Sequence, residues 1–246
     1  MARCLDRSRR RCFGLFLGWE GSVGGRLCAV AVTGDGENPL YVALRQMAHI
    51  FQPQIAVALE PVSAVAEGLH GGDFVLIREA ARCLVPAGLA RNICDDRYLF
   101  PSEAIRREIL EAPAVASDAE GLAIVAEALA HNMPAESVQP EVPVVRAGCS
   151  GFWPQHQSVR NWVRSRFVVE VVAAGVNGFL SAAHDLRLPA LATGVVADGC
   201  SDDDRLEFRR HRRRYLRAAA VLSLRGAMAW LSRTPQTVSR GPRPSA

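Results

Sequence analysis

The 246-residue sequence contains no lysine: all 29 basic residues are arginines, and the net charge is only +4. The arginines cluster at residues 7–11 and 209–214. Neither run alternates with aromatic residues, which nucleic-acid proteins use to stack on bases. We therefore interpret the second run as the solvated face of a helix and expect no nucleic-acid partner.

Paired cysteines and metal motifs are also lacking. Seven cysteines form no Cys-x-x-Cys pair and have no histidine at metal-ligand spacing: Cys4, Cys12, Cys28, Cys83, Cys94, Cys149 and Cys200. Such an odd, scattered set is typical of reduced thiols. No apolar run reaches membrane-spanning length, and no P-loop, nucleophile elbow or His-Glu-x-x-His motif is present. We predict a cytoplasmic protein without disulfides, metal or cofactor.

Short apolar runs alternate with amphipathic stretches. The apolar runs predict strands at 13–17, 27–32, 55–59, 74–77, 142–146 and 191–196. Helices are predicted from Asn38, at 102–110, after a capping box at Ser117 and Glu120, at 158–166, at 169–186 and from Asp203 or Asp204 to Trp230. This order predicts an α/β fold of three layers, a central mixed or parallel sheet flanked by helices. We assign residues 1–12 to a disordered basic leader, 13–233 to a single domain and 234–246 to a disordered tail.

Five segments, in order, resemble the nucleoside phosphorylase and nucleosidase superfamily. They are VTGDGENP, FQPQIAVALEPVSAVAEGLHGGDFVLIREA, GCSGFWP, VEVVAAG and LPALATGVVAD, and they cover most of residues 27–200. The resemblance implies a phosphorylase-like fold and a nucleoside-like small-molecule substrate, with phosphate as a second substrate in phosphorylases. It also implies a homo-oligomer, because family members complete their sites across dimer interfaces.

The resemblance gives Asp198, at the end of the last segment, a chemical role. In the family an aspartate here protonates the leaving base during cleavage of the N-glycosidic bond, which passes through an oxocarbenium-like state. A desolvated carboxylate can hold such a proton near neutral pH. A second family carboxylate grips the ribose, and Glu170 is the nearest acid to its position. Glu20, after the first predicted strand, is the candidate base for activating water.

Other positions are implied to bind the substrate. Phe152 or Trp153 would stack on the nucleobase. Gly34 and Gly36 belong to the turn that cradles phosphate in phosphorylases, at the start of a predicted helix. Ser63 lies in the small-residue loop at 60–65.

The sequence also departs from the family pattern. Val172 stands at the ribose-gripping glutamate, Pro61 at a phosphate-binding hydroxyl and Ala197 at the serine before the aspartate. Two hypotheses stay open. The first is a purine-type nucleosidase or phosphorylase, with loss of the hydroxyl favouring hydrolysis. The second is a degenerate or repurposed member of the fold that binds a nucleotide-like ligand or a protein partner.

Overall fold

The computed structural model describes residues 5–34, 36–83, 113–131, 141–150, 154, 157–199 and 202–234, with the side chains of 202–205 excepted. The predicted helix at 102–110 and the aromatic pair Phe152 and Trp153 lie outside the described residues. The described residues form two sheets and five helices.

The first sheet is an antiparallel meander of β1 (Asp6–Phe13), β2 (Phe16–Val23) and β3 (Arg26–Val32). It corrects two predictions. The basic segment is not a disordered leader from Asp6 onward, because its arginines lie along β1 and face solvent. Residues 13–17 are not one buried strand, because a turn at Gly14, whose φ is 62°, separates β1 from β2.

The second sheet carries the six strands β4 (Ala56–Ala64), β5 (Phe74–Arg82), β6 (Val115–Ala116), β7 (Val144–Cys149), β8 (Val171–Ala173) and β9 (Ala190–Asp198). Their order is β6-β5-β7-β8-β4-β9, and β5 also pairs with β9. Five strands therefore close into a barrel-like ring. The pairs β4–β9, β5–β7 and β7–β8 are parallel, and β4–β8 and β5–β9 are antiparallel. The predicted α/β class with a mixed sheet is confirmed, but closure of the sheet was not predicted.

The helices are α1 (Glu37–Phe51), α2 (Ala119–Ala130), α3 (Gln157–Phe167), α4 (Val176–Leu186) and α5 (Asp202–Arg233). The single helix predicted over 169–186 is wrong, because this stretch forms β8 and then α4. Val171 and Val172 are β-branched and find partners in two neighbouring strands, which outweighs the helical pattern. Two caps also differ: Gly36, not Asn38, caps α1, and Asp118, not Ser117, caps α2.

The core lies on both faces of the second sheet. One cluster packs the sheet against α1 and α4, a second against α2 and α5, and a third lies under α3. Almost every residue of β9 is buried, which explains its continuous apolar run. None of the described helices combines the length and apolar character needed to cross a membrane.

Candidate functional site

Strand pairing brings three of the predicted positions together. Ser63 on β4 lies opposite Val172 of β8 on one side and opposite Asp198 of β9 on the other. All three residues are buried. Ser63 Oγ has no hydrogen-bond partner among the described residues. Since buried hydroxyls are normally paired, this serine is a candidate ligand contact beside Asp198.

Asp198 is held by a buried arginine. Its Oδ1 accepts a hydrogen bond from Arg160 Nη2 at 2.9 Å, and the two side chains are only 7% and 5% exposed. Arg160 also donates to the carbonyl of Gly199 and, through Nε at 3.2 Å, to the carbonyl of Pro154. It thus ties the end of β9 to the end of the Gly-Phe-Trp-Pro segment. In the described part of the chain, Asp198 Oδ2 carries no such bond.

Arg160 was not predicted as a site residue, although its position in the sequence indicates that it is buried. It lies on α3 in line with Val163 and Phe167, at the i, i+3, i+7 spacing of a buried helix face. Arginine on such a stripe must find partners inside the protein, because an unpaired buried charge is costly. That spacing predicts a buried acceptor, which the structure identifies as Asp198.

A second buried carboxylate, Glu60, lies on β4. It accepts hydrogen bonds from the backbone N–H groups of Ala174 and Gly175, the latter at 2.9 Å, at the start of α4. Negative charge is favourable at a helix N-terminus. Gly36 also packs here, since a Cβ at Gly175 would lie only 2.5 Å from the Gly36 carbonyl oxygen. The glycine turn and Glu60 therefore meet just before α4, where the N–H groups of Ala174 and Gly175 bind the Glu60 carboxylate.

Glu170 lies just before β8 rather than on a helix. Its carboxylate accepts from the backbone N–H of Arg146 at 2.6 Å and lies 3.6 Å from Arg78 Nη2. These partners belong to β7 and β5. Val172, and not Glu170, is the residue beside Ser63.

Glu20 lies in the first sheet, where it pairs with Arg11 Nε at 2.9 Å across the hairpin. No described contact joins it to Asp198 or Ser63. The sequence analysis placed Glu20 at the end of the first predicted strand, whereas it lies within β2 of the three-stranded sheet. Gly34 is exposed, and Gly36 has a φ of 106° at the start of α1.

Cys149 ends β7 beside this region. Its Sγ accepts from the backbone N–H of Asn177 at 3.1 Å, and burial raises the pKa of the thiol well above its ordinary value. A protonated, buried thiol is a poor nucleophile. Among the described residues, no cluster of three His, Cys, Asp or Glu side chains could hold a metal ion.

The chain shares its overall fold with solved nucleosidases and with a futalosine hydrolase, as the resemblance implied. The 5′-methylthioadenosine/S-adenosylhomocysteine nucleosidase of Neisseria meningitidis is 17% identical, with a TM-score of 0.68 over 93% of this chain and 91% of that chain. The S-adenosylhomocysteine nucleosidase of Streptococcus pyogenes is 17% identical, with a TM-score of 0.70 over 95% and 90%. A futalosine hydrolase mutant of Helicobacter pylori is 11% identical, with a TM-score of 0.67 over 92% and 90%. No protein-family model and no curated protein sequence matches this chain.

Proposed function

We propose that this protein hydrolyses the N-glycosidic bond of a purine-type nucleoside, with Asp198 as the acid that protonates the leaving base. The observation that carries the proposal is the anchoring of Asp198. Its carboxyl is buried at the end of β9 and held through Oδ1, while Oδ2 has no bond among the described residues. The fold shared with nucleosidases supports the same assignment.

The chemistry requires a proton on the departing base. A purine leaves with negative charge, and a proton delivered to N7 removes it. Arg160 holds Oδ1 of Asp198, and the proposal has the other oxygen, Oδ2, face the substrate. In the free protein the carboxylate is paired with the guanidinium at 2.9 Å, so the proposal has Oδ2 take up a proton when the base binds, pass it to N7 and return to the ion pair. The Ser63 hydroxyl supplies a second polar contact beside it.

Hydrolysis is favoured over phosphorolysis by the charge of Glu60. A phosphate held by the glycine turn would approach the N-terminus of α4, where the Glu60 carboxylate accepts from Gly175. Two anions at one helix N-terminus repel each other. Pro61, next in the chain, has no hydroxyl to bind phosphate.

The other predicted residues have different roles in the proposed reaction. Phe152 and Trp153 are kept as the proposed platform for the base, because Arg160 connects the neighbouring Pro154 to the Asp198 end of β9. The described contacts of Glu170 and Glu20 are with other strands and not with Ser63 or Asp198, so the proposal gives them no direct part in the reaction. Catalysis then rests mainly on leaving-group protonation, which typically contributes about 10²–10⁴-fold.

A second candidate is a non-catalytic protein that binds a nucleotide-like ligand. One observation favours it: Val172, buried beside Ser63, stands where the resemblance requires the ribose-gripping carboxylate. Without that carboxylate, a bound nucleoside would lack electrostatic stabilisation of its sugar cation.

The test is base release from a panel of nucleosides, with and without phosphate, followed by chromatography. The panel includes the compounds named for the structural neighbours: methylthioadenosine, S-adenosylhomocysteine and futalosine. Release without phosphate is the expected result. Release only with phosphate would contradict hydrolysis, and saturable binding without release would favour the second candidate.

A further inference from the structure

Three buried residues form a row across the end of the second sheet. Ser63 of β4 pairs with Asp198 of β9 on one side and with Val172 of β8 on the other. The exposed fractions of Ser63, Val172 and Asp198 are 0%, 1% and 5%. Neighbouring strands lie about 4.8 Å apart, so the row spans about 10 Å from Asp198 to Val172. Groups at this spacing can contact one nucleoside, with its base at Asp198 and its sugar beyond Ser63.

The three side chains share one face of the sheet, the face that α3 covers. Residues paired in register direct their side chains to the same face. Arg160 of α3 holds Asp198, and Val172 belongs to the apolar cluster that contains Val159 and Val163 of the same helix. The row therefore presents an acid, a hydroxyl and the two methyl groups of a valine, in that order.

This row offers the sugar one polar side chain, Ser63, whose Oγ has no hydrogen-bond partner among the described residues. A ribose carries two neighbouring hydroxyls, at C2′ and C3′, and a carboxylate can accept from both. Glu60 of β4 and Glu170, which precedes β8, are bound by backbone N–H groups away from the row. A ribose placed here would leave one hydroxyl against the methyl groups of Val172 without a partner, which is costly.

We propose that Val172 makes the site selective for 2′-deoxyribonucleosides, so that the substrate class is a purine base on a 2′-deoxy sugar. This inference rests on the proposed hydrolysis of a purine nucleoside. A 2′-deoxy sugar presents a C–H group at C2′ to Val172 and its hydroxyl at C3′ to Ser63. Both contacts are then satisfied, one apolar and one by a hydrogen bond.

The chemistry of the bond favours the same sugar. Hydrolysis breaks the C1′–N9 bond, whose electron pair stays with the base, while water adds to C1′ and releases a proton that balances the one delivered to N7. The sugar passes through an oxocarbenium-like state, which a hydroxyl at C2′ destabilises by withdrawing electrons. The described residues of the row offer this cation no carboxylate at the sugar end. Catalysis there depends on a sugar that forms the cation readily, as 2′-deoxyribose does.

The test compares two pairs of substrates that differ only at C2′, adenosine with 2′-deoxyadenosine and guanosine with 2′-deoxyguanosine. Base release is followed by chromatography, and kcat/KM is determined for each nucleoside. The unmodified protein is expected to prefer the 2′-deoxy member of each pair by at least about tenfold. Equal values, or a preference for ribose, would overturn the proposal and place a hydroxyl-binding group outside the described residues.

Substitutions at Val172 separate the selectivity of the site from the intrinsic reactivity of the 2′-deoxy sugar. Val172→Glu adds a carboxylate, and Val172→Thr adds a hydroxyl with little change of shape. Both should shift the ratio of the two kcat/KM values towards ribose, by more than about tenfold for glutamate and by less for threonine. The matched control is Val171→Thr, because Val171 is equally buried but lies on the opposite face of β8, in the cluster with α1 and α4. It should leave the ratio unchanged.

A ratio that stays the same in both Val172 variants, or that Val171→Thr changes equally, would show that Val172 does not set the preference. Thermal unfolding is measured for every variant, and if Val172→Glu does not fold, Val172→Thr carries the comparison. Calorimetric binding of the same four nucleosides distinguishes failure of this inference from failure of the proposed function. Tighter binding of the 2′-deoxy members without base release would overturn the hydrolysis alone, and neither release nor a preference in binding would overturn both.

Discussion

The guanidinium of Arg160 and the carboxylate of Asp198 form an ion pair 2.9 Å long in which both side chains are buried. The same guanidinium bonds the carbonyls of Pro154 and Gly199. One side chain therefore fixes the candidate acid, the backbone after it and the segment before α3. This pair is where the proposed chemistry and the stability of the fold depend on each other.

Replacing Arg160 by Met should be strongly destabilising. The change leaves the Asp198 carboxylate buried without its partner, and breaking such pairs typically costs about 3–5 kcal/mol. The double variant Arg160→Met with Asp198→Asn should recover part of this loss, because an amide carries no charge. Urea unfolding compares the unmodified protein with both variants, and Arg164→Met, exposed on the same helix, is the control. Equal losses in the single and double variants would show that the charge of Asp198 is not what Arg160 neutralises.

Replacing Glu60 by Gln tests its role at the start of α4. The amide keeps the shape but loses the charge that the helix N-terminus favours and one acceptor oxygen, so we expect a loss of about 1–2 kcal/mol in unfolding free energy. Glu67→Gln, an 84% exposed carboxylate, is the matched control and should be neutral. An unchanged stability in Glu60→Gln would mean that the bonds to Ala174 and Gly175 contribute nothing.

Cys83 should make the fold sensitive to alkaline pH. Burial raises the pKa of its thiol from 9.0 to about 12. Below pH 9 both the folded and unfolded states hold the proton, whereas between pH 9 and 12 only the unfolded state releases it. Stability should therefore fall as pH rises through that window. Urea midpoints at pH 8 and pH 10 measure the fall, which should be smaller in Cys83→Ala; an equal fall would assign it to other groups.

Alanine substitutions at Gly72 and Gly68 should distinguish the cost of a strained backbone from the cost of a steric clash. Both have positive φ, 99° and 85°, so alanine is strained at either position. A Cβ at Gly72 would lie 2.5 Å from the Tyr215 ring, whereas at Gly68 nothing lies within 4 Å. Gly68→Ala should cost about 1 kcal/mol and Gly72→Ala about 1–3 kcal/mol more. Thermal unfolding compares them, and equal losses would mean that Tyr215 moves away without cost.

The sequence predicted most strands of the second sheet because β4, β5 and β9 are short apolar runs bounded by turn residues. The prediction failed where a strand pairs with strands that are distant in the sequence. The pattern around Val171 and Val172 reads as helical until two neighbouring strands are available to pair with it. Closure of the sheet through β5 and β9 likewise leaves no local signal. The arginine run of β1 resembles a tail because the strand is solvent-exposed along nearly its whole length.

Part of the candidate site was predicted from the sequence. The prediction depended on the order of the five resembling segments along the chain and not on geometry. The resemblance placed Asp198 and Ser63 in one pocket, and strand register puts them opposite each other. Arg160 and Glu60 were missed because their partners come from distant parts of the chain, and those of Glu60 are backbone N–H groups. Glu20 was predicted at a strand end because the hairpin of β1 and β2 was not predicted, and the structure has it within β2.

The central claim is that Asp198 protonates the leaving base, and an N7-methylated substrate tests it most directly. Such a base leaves as a neutral species and needs no proton. The purine nucleoside that the panel identifies is compared with its N7-methyl form, using the unmodified protein, Asp198→Asn and the control Asp185→Asn, an exposed carboxylate bonded to Tyr41.

The account predicts that Asp198→Asn slows release of the ordinary base by about 10²–10⁴-fold. Release of the N7-methyl base should stay within about tenfold of the unmodified protein, with Asp185→Asn unchanged on both. Equal slowing of both substrates, or no slowing of either, would contradict the assignment of Asp198 as the acid.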